Sequence, residues 1–496
     1  GISIGISFVW QKFNRKILKM KIIMFCFCLV WRYDGKIGVV CLTLLFLLGN
    51  LSVVKPAHGA VNGTHTKEFP SDFDRLKTVL QQPNTLSALT PEWLDLGVEH
   101  RTRYETFNQS FTKGTAGSDQ MVAQRTRILL GIKDIWDPIR FTLELADFRA
   151  PVADRGQDHN PNFVDHLDIF QLHLDLVSQN FLGTGTSGRL EVGRLVMDFG
   201  EGRLIAGHRF GSFTPSFDGV QLTFGGDKRS DWGLRAFVTQ PVQRHTVSPD
   251  WTSPITYFSG AAISSRHVPW ANGELYFFQL NEGSNLQKRN LSTMGFRVFA
   301  KPAKEQFDYE IESIYQVGEV DHTNHFAHRH HGEVGYSFAT EWPLRFVYLF
   351  DYSSGDKNPK KNFDFLFAKR RAEYGPTGIL GIIFPSNIIS PVGFRSTLQP
   401  ISTIRLMVSH RTFWLADSRG PFVGSGLQDP TGRAGTFLGN MVDTSITWAP
   451  QAGYFRHTTF EVGYTRFFKG TYFDRVPQSP GTADVNYVYT MATLTF

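Results

Sequence analysis

Cysteine is almost missing: the chain has three in 496 residues, Cys26, Cys28 and Cys41, and none beyond residue 41. A disulfide framework and cysteine-ligated metals are therefore excluded from everything downstream. Long apolar runs are scarce too, and after residue 60 none reaches the roughly 20 residues that a spanning helix requires. A bundle of transmembrane helices is excluded, although aromatics are plentiful, with 44 Phe, 15 Tyr and 10 Trp. Charge of one sign is lacking as well. The formal charge of +6 belongs to residues 1–60, where eight Lys or Arg face Asp34 alone; 43 bases and 44 acids follow, a net of −1. No nucleic-acid surface is expected from such a balance. His-Glu-x-x-His, a phosphate-cradling glycine loop with Lys, and Gly-x-Ser-x-Gly are all absent. No catalytic residue, cofactor or metal-ligand set is expected.

What is present begins with a leader. Ile37 to Val54 is mostly apolar, follows Arg32 and Lys36, and precedes Ala57-His58-Gly59-Ala60. Basic flank, apolar core and small residues in that order read as a secretory signal peptide, with a retained membrane anchor as the alternative because the run is nearly long enough to span. Residues 1–60 are thus expected to be an upstream extension plus signal peptide, 61–94 an N-terminal periplasmic segment, and 95–496 the folded body. An exported chain without cysteine suits the bacterial envelope.

The body alternates with a period of two. In Phe307-Asp308-Tyr309-Glu310-Ile311-Glu312 apolar residues hold the odd positions and acids the even ones, so a strand would be greasy on one face and charged on the other. Leu344 to Asp351 repeats this, with Arg345 and Asp351 opposite Leu344, Phe346, Tyr348 and Phe350. Val98 to Glu105 places Glu99, Arg101, Arg103 and Glu105 on one face; Arg405 and Arg411 share a face in Ile404 to Arg411; Arg125 and Arg127 precede another alternating run. Turn-rich stretches such as Ser353 to Pro359 and Gly183 to Gly188 separate the strands, and no composition break marks a second domain.

Two all-β architectures hide such faces. A soluble sandwich or β-helix turns the greasy face inward. An outer-membrane antiparallel β-barrel turns it outward to lipid and keeps the charged face around water. Tyr487 to Phe496 is a strand that ends on an aromatic residue, as membrane barrels do, which favours the barrel. At roughly 24 residues for each strand with its connections, the body holds about 18 strands, with about 16 as the alternative even count.

Several segments carry a resemblance. They are Asn162-Phe163-Val164-Asp165, Gly193 to Ala206 followed by Pro215 to Leu222, Tyr352 to Asp356 with Phe363 to Phe367, and Glu461 to Gly470. In this order they resemble the alginate export porins, although Leu195-Val196-Met197 stands where that family tends to have a polar Gln-Glu pair. The resemblance implies an outer-membrane barrel of about 18 strands whose arginine-lined lumen passes a polyuronate.

The lumen chemistry follows from Arg. After the leader there are 30 Arg and 13 Lys, and guanidinium offers a planar fork that matches carboxylates in pairs. Path candidates are Arg101, Arg103, Arg125, Arg127, Arg194, Arg203, Arg297, Arg345, Arg405, Arg411 and Arg466, with Glu99, Glu105 and Asp351 interleaved so that no cluster traps a polyanion. The plainer reading is that these ladders only brace and solvate the interior. His322, His325, His328, His330 and His331 are expected in a solvated loop, Asp218-Gly219 in a turn, and Tyr464, Phe467, Phe468, Tyr472 and Phe473 in interface girdles. The function expected is passive export of an acidic polysaccharide such as alginate, with outer-membrane lipid and periplasmic secretion components as partners. A general anion-selective porin and a secreted polysaccharide lyase on a β scaffold are the alternatives.

Overall fold

The computed structural model describes residue 86 and residues 90–114, 117–154, 159–207, 210–212, 214–226, 231–268, 270–283, 286–368 and 386–496. Gly1–Thr64 forms a separate unit, in which only backbone strands are described: Ser3–Ile4, Lys21–Tyr33 and Lys36–Leu48, the last two paired antiparallel. The signal peptide and periplasmic segment expected over residues 1–94 fall largely outside the described residues.

Among its described residues the second unit closes eighteen long strands into one sheet, and the two-residue strand Trp251–Thr252 pairs onto Val242 and Gln243 at the end of the seventh. In chain order they are β1 Leu94–Phe107, β2 Asp119–Trp136, β3 Ile139–Ala153, β4 Asp165–Ser178, β5 Gly188–Leu195 and β6 Phe217–Gly225. Then come β7 Trp232–Gln243, β8 Thr256–Val268, β9 Ala271–Glu282, β10 Arg289–Ala300, β11 Phe307–Val320 and β12 Thr323–Phe338. The last six are β13 Leu344–Ser353, β14 Ile388–Ile401, β15 Ile404–Leu415, β16 Phe437–Trp448, β17 Thr458–Lys469 and β18 Val485–Thr495. Each pairs antiparallel with the next, and β18 returns to β1 from Tyr487↔Phe107 to Thr495↔Glu99. Val98 and Phe496 then exchange backbone hydrogen bonds of 2.9 and 3.0 Å, so the aromatic end of the chain lies at the closing seam.

Alternation decides which side each residue faces. On β11, Phe307, Ile311 and Val317 point out and are exposed, whereas Asp308, Glu310 and Glu312 point in and are buried. Leu275, Val462, Val408 and Phe346 share the outward face on other strands. A greasy exterior around a polar interior is the arrangement that a bilayer demands of a barrel.

The two ends differ. The two-residue connections β2–β3, β8–β9 and β14–β15 join strands at the end holding Leu94 and Phe496, whereas the long connections β5–β6, β13–β14 and β15–β16 join them at the other. Short turns mark the periplasmic end of outer-membrane barrels and long loops the outer end. β5 and β6 are the shortest of the eighteen, and β4 pairs with β5 only from Leu172 to Ser178. Above that register the wall has a notch. Gly193 has φ +135° where β5 crosses β4, and a side chain there would collide with the Leu172 carbonyl. Beyond it the chain leaves the wall at Leu195. Loop 244–255 straps the notch from outside: the His166 amide donates to the Thr246 carbonyl at 3.2 Å, and Arg244 Nη1 to the Pro161 carbonyl at 2.7 Å.

Three sequence readings need correction. His325, His328, His330 and His331 lie within strand β12, because its alternation continues unbroken through them; only His322 is in a turn. Asp218-Gly219 belongs to β6, since Asp218 pairs with Arg194 across the sheet and Gly219 sits close against Val238 and Thr239. Tyr464 and Phe468 are outward, but Phe467, Tyr472 and Phe473 are buried in a cluster with Phe111, Phe422 and Leu438, because loop 470–484 folds inward.

Replacing outward Leu275 by Arg should cost about 2–4 kcal/mol on folding into lipid vesicles. Denaturant titration followed by tryptophan fluorescence reads this, and an unchanged midpoint would mean that the face does not meet hydrocarbon.

Candidate translocation path

Three groups of charged side chains project inward, and in each the carboxylates meet guanidinium groups. In the first, Arg125 Nη2 lies 2.6 Å and its Nε 3.0 Å from Glu99 Oε1. Arg127 pairs with Glu144, which also accepts from Gln171, and Arg103 Nε lies 3.3 Å from Glu105, which accepts from the Tyr487 hydroxyl at 2.7 Å. In the second, Arg203 pairs with Glu310 and Glu312, and Arg297 reaches Glu310 at 2.6 Å, Glu201 at 2.9 Å and Glu274 at 3.2 Å. In the third, wholly buried Asp351 receives Arg411 at 2.6 Å, His331 at 2.9 Å and Arg329 at 3.2 Å. Next to it Arg345 holds Asp308 and, at 3.0 Å, Glu333, which Arg395 meets at 3.2 Å.

Loop 196–216 runs between the first two groups. At one side Arg235 donates to the Asp198 carbonyl and its guanidinium carbon sits 4.2 Å above the Phe199 ring. At the far side Arg101 Nη2 and Arg125 Nη1 donate to the Gly211 carbonyl at 2.8 and 3.3 Å, and Arg103 donates to that of Phe210. Midway, Leu204 and Ala206 exchange backbone hydrogen bonds with Phe367 at 2.8 and 3.1 Å, joining this loop to loop 354–387. A Phe-rich cluster that includes Ile205, Phe217, Phe258, Phe278 and Phe363 fills the space around that junction. The bore is thus crossed by a loop held by arginines at both ends. Between the loop and the wall a cavity of about 210 Å3 remains, lined by Arg203, Arg235, Glu274, Tyr276 and Glu312 among others.

The candidates divide accordingly. Glu99, Arg101, Arg103, Glu105, Arg125, Arg127, Arg297, Asp351 and Arg411 are buried on the inward face; Arg203 comes from the crossing loop. Arg345 and Arg405 are half-buried on that face. Two are corrected. Arg466 shares its face with exposed Val462, Tyr464 and Phe468 and pairs with Asp484 at the outer rim, 2.9 Å away. Arg194 follows Gly193 on the side of outward Val192 and binds Asp218 at 2.9 Å, so it too points away from the bore. Sequence reasoning missed Glu310 and Glu312 as partners although their alternation was plain. It missed Arg329 because the histidines around it looked like a loop. Nothing in the spacing of residues 196–216 signals that the segment crosses the barrel.

The family model for alginate export matches residues 92–483. The chain belongs to the alginate export family. No curated protein matches it. Among solved structures it is similar to Pseudomonas aeruginosa OccD3 (OpdP), with 12% identity, a TM-score of 0.53, and 82% of this chain and 91% of that one covered. Pseudomonas aeruginosa OpdO gives 12% identity and a TM-score of 0.54 over 82% of this chain and 97% of that one; OpdK, solved with vanillate, gives 10% and 0.54 over 81% and 98%. At such identities the likeness establishes the fold. This alginate export family member is a channel of the bacterial outer membrane, not an enzyme.

Two measurements probe the path. Asp351→Ala strands Arg329 and Arg411 in a dry setting and should destabilise the barrel by about 3–5 kcal/mol, seen in the temperature at which its gel mobility shifts. Arg101→Ala combined with Arg125→Ala releases the loop at Gly211 and should raise single-channel conductance; an unaltered conductance would mean that the loop is held elsewhere.

Proposed function

We propose that this outer-membrane porin passively exports an acidic polysaccharide of the alginate type, with no covalent chemistry. The observation that carries the reading is the pairing of guanidinium with carboxylate along the inward face beside a loop that narrows the bore. A polyuronate presents one carboxylate per sugar, and a chain in transit needs many weak sites rather than one strong one. Arg345, Arg395, Arg405 and Arg235, only partly covered, offer forks that a passing carboxylate can borrow from Glu333 or Gln221 and return. Arg101, Arg103, Arg125, Arg127, Arg203, Arg297 and Arg411, with Glu99, Glu105 and Asp351, set the positions of loop and wall. The greasy exterior lies against lipid in this reading, and the short-turn end receives polymer from periplasmic partners.

Planar-bilayer recording tests it. Oligouronates should block the channel more strongly than neutral oligosaccharides of equal length, and Arg395→Glu with Arg405→Glu should lower anion over cation permeability by about twofold or more. Equal block by both sugars would leave a general porin; an unmoved reversal potential would remove these arginines from the path.

A further inference from the structure

Two clusters could hold a metal ion among the described residues, and they differ in one respect. His173, Asp175 and Glu191 already have protein partners: His173 Nδ1 lies 2.8 Å and Arg189 2.7 Å from Asp175, and Gln221 donates to Glu191 at 2.5 Å. Asp165, Asp168 and Asp250 lie at the outer rim with one oxygen of each within 4.8 Å of the others. Asp165 is 4% exposed, and its Oδ1 has no hydrogen-bond partner among the described residues. A buried carboxylate oxygen left without a donor is costly, and natural proteins spare themselves that cost unless something else occupies the place.

Two arginines flank the cluster, and Arg194 Nη2 also donates to the backbone carbonyl of Asp250 at 3.3 Å, but none of the hydrogen bonds they make ends on Asp165 Oδ1. Arg194 is bound to Asp218, Arg149 to Asp147 at 2.6 Å, and Arg244 donates to the Pro161 carbonyl and, at 3.4 Å, to Asn162 Oδ1. Burial, with Asp168 beside it, pushes the Asp250 carboxyl above the ordinary carboxylate value. Asp250 belongs to loop 244–255, while Asp165 and Asp168 start β4; the backbone amide of Asp250 donates to Asp168 across the notch above β5.

We propose that Asp165, Asp168 and Asp250 bind a hard divalent cation, Ca2+, which fastens loop 244–255 over the notch in the barrel wall. The donor set is all oxygen, as Ca2+ prefers, and water completes the six to eight ligands it takes. Asp165 Oδ1 supplies the ligand that no protein donor claims. Joining β4 to the strap beyond β7 gives the ion a structural role: it closes a gap that no strand pairing covers.

The test uses the full chain in detergent, stripped with EDTA and titrated with Tb3+, whose emission is sensitised by a nearby indole; Trp251 adjoins Asp250. One saturable site per chain is expected, displaced by Ca2+ and weakened tenfold or more by Asp165→Asn and by Asp250→Asn. Asp231→Asn, at a turn of the opposite end, should leave it unchanged. Ca2+ should also slow hydrogen exchange across residues 245–252 in the parent chain and not in Asp165→Asn. Heat-modifiable gel mobility identifies folded variants; should Asp165→Asn fail to fold, Asp250→Asn in the loop carries the comparison. Absence of a saturable site, or binding that persists in folded Asp250→Asn, would overturn the proposal.

Discussion

A sheet inside a bilayer has no water to satisfy an unpaired edge, so every backbone donor and acceptor must find its partner within the protein. The β18–β1 seam meets that demand, and the rest follows from it. Once the sheet is closed, pleating alone sorts the side chains: one residue to the outside, the next to the bore. The outside must be apolar. All the charge that the strands carry is therefore pressed into the bore, where it has to be neutralised locally.

That neutralisation explains the ladders. A buried guanidinium without a carboxylate costs several kcal/mol, and replacing a pair by apolar groups is often harmless, so ion pairs are a poor route to stability alone. Here they do something apolar side chains could not: Arg125, which binds Glu99, and Arg103, which binds Glu105, also have donors left for the carbonyls of Gly211 and Phe210. Five donors on a rigid fork allow one side chain to bind wall and loop together. The loop's inward course depends on that surplus.

Strand faces were legible from the sequence because period-two alternation is a local signal, and the strand count because length divides by a membrane repeat. β11 and β13 show this: their acids and Arg345 fall inward where alternation puts them. The legible part ends where contacts join distant segments. Arg203 meets Glu310 across more than a hundred residues, and Asp250 meets Asp168 across 82; neither pairing leaves a trace in spacing. β12 failed for another reason: histidine is neither clearly apolar nor clearly charged, so four of them blurred an alternation that the backbone keeps. Aromatics near β17 misled because an inward-folding loop buries rings as well as lipid does.

The crossing loop and the outer strap are two consequences of one shortening. β5 and β6 stop early, so the chain that would have continued the wall is free to enter the bore as residues 196–216, and the place it left on the wall must be covered. Loop 244–255 covers it from β7, touching the amides and carboxylates of β4 that β5 no longer reaches. Longer strands here would seal the wall with backbone hydrogen bonds but leave nothing to narrow the channel. The barrel has exchanged ladder pairing at its rim for a constriction at its centre, and the side chains at the notch, Arg194, Arg244, Asp168, Asp218 and Asp250, are polar because they replace that pairing.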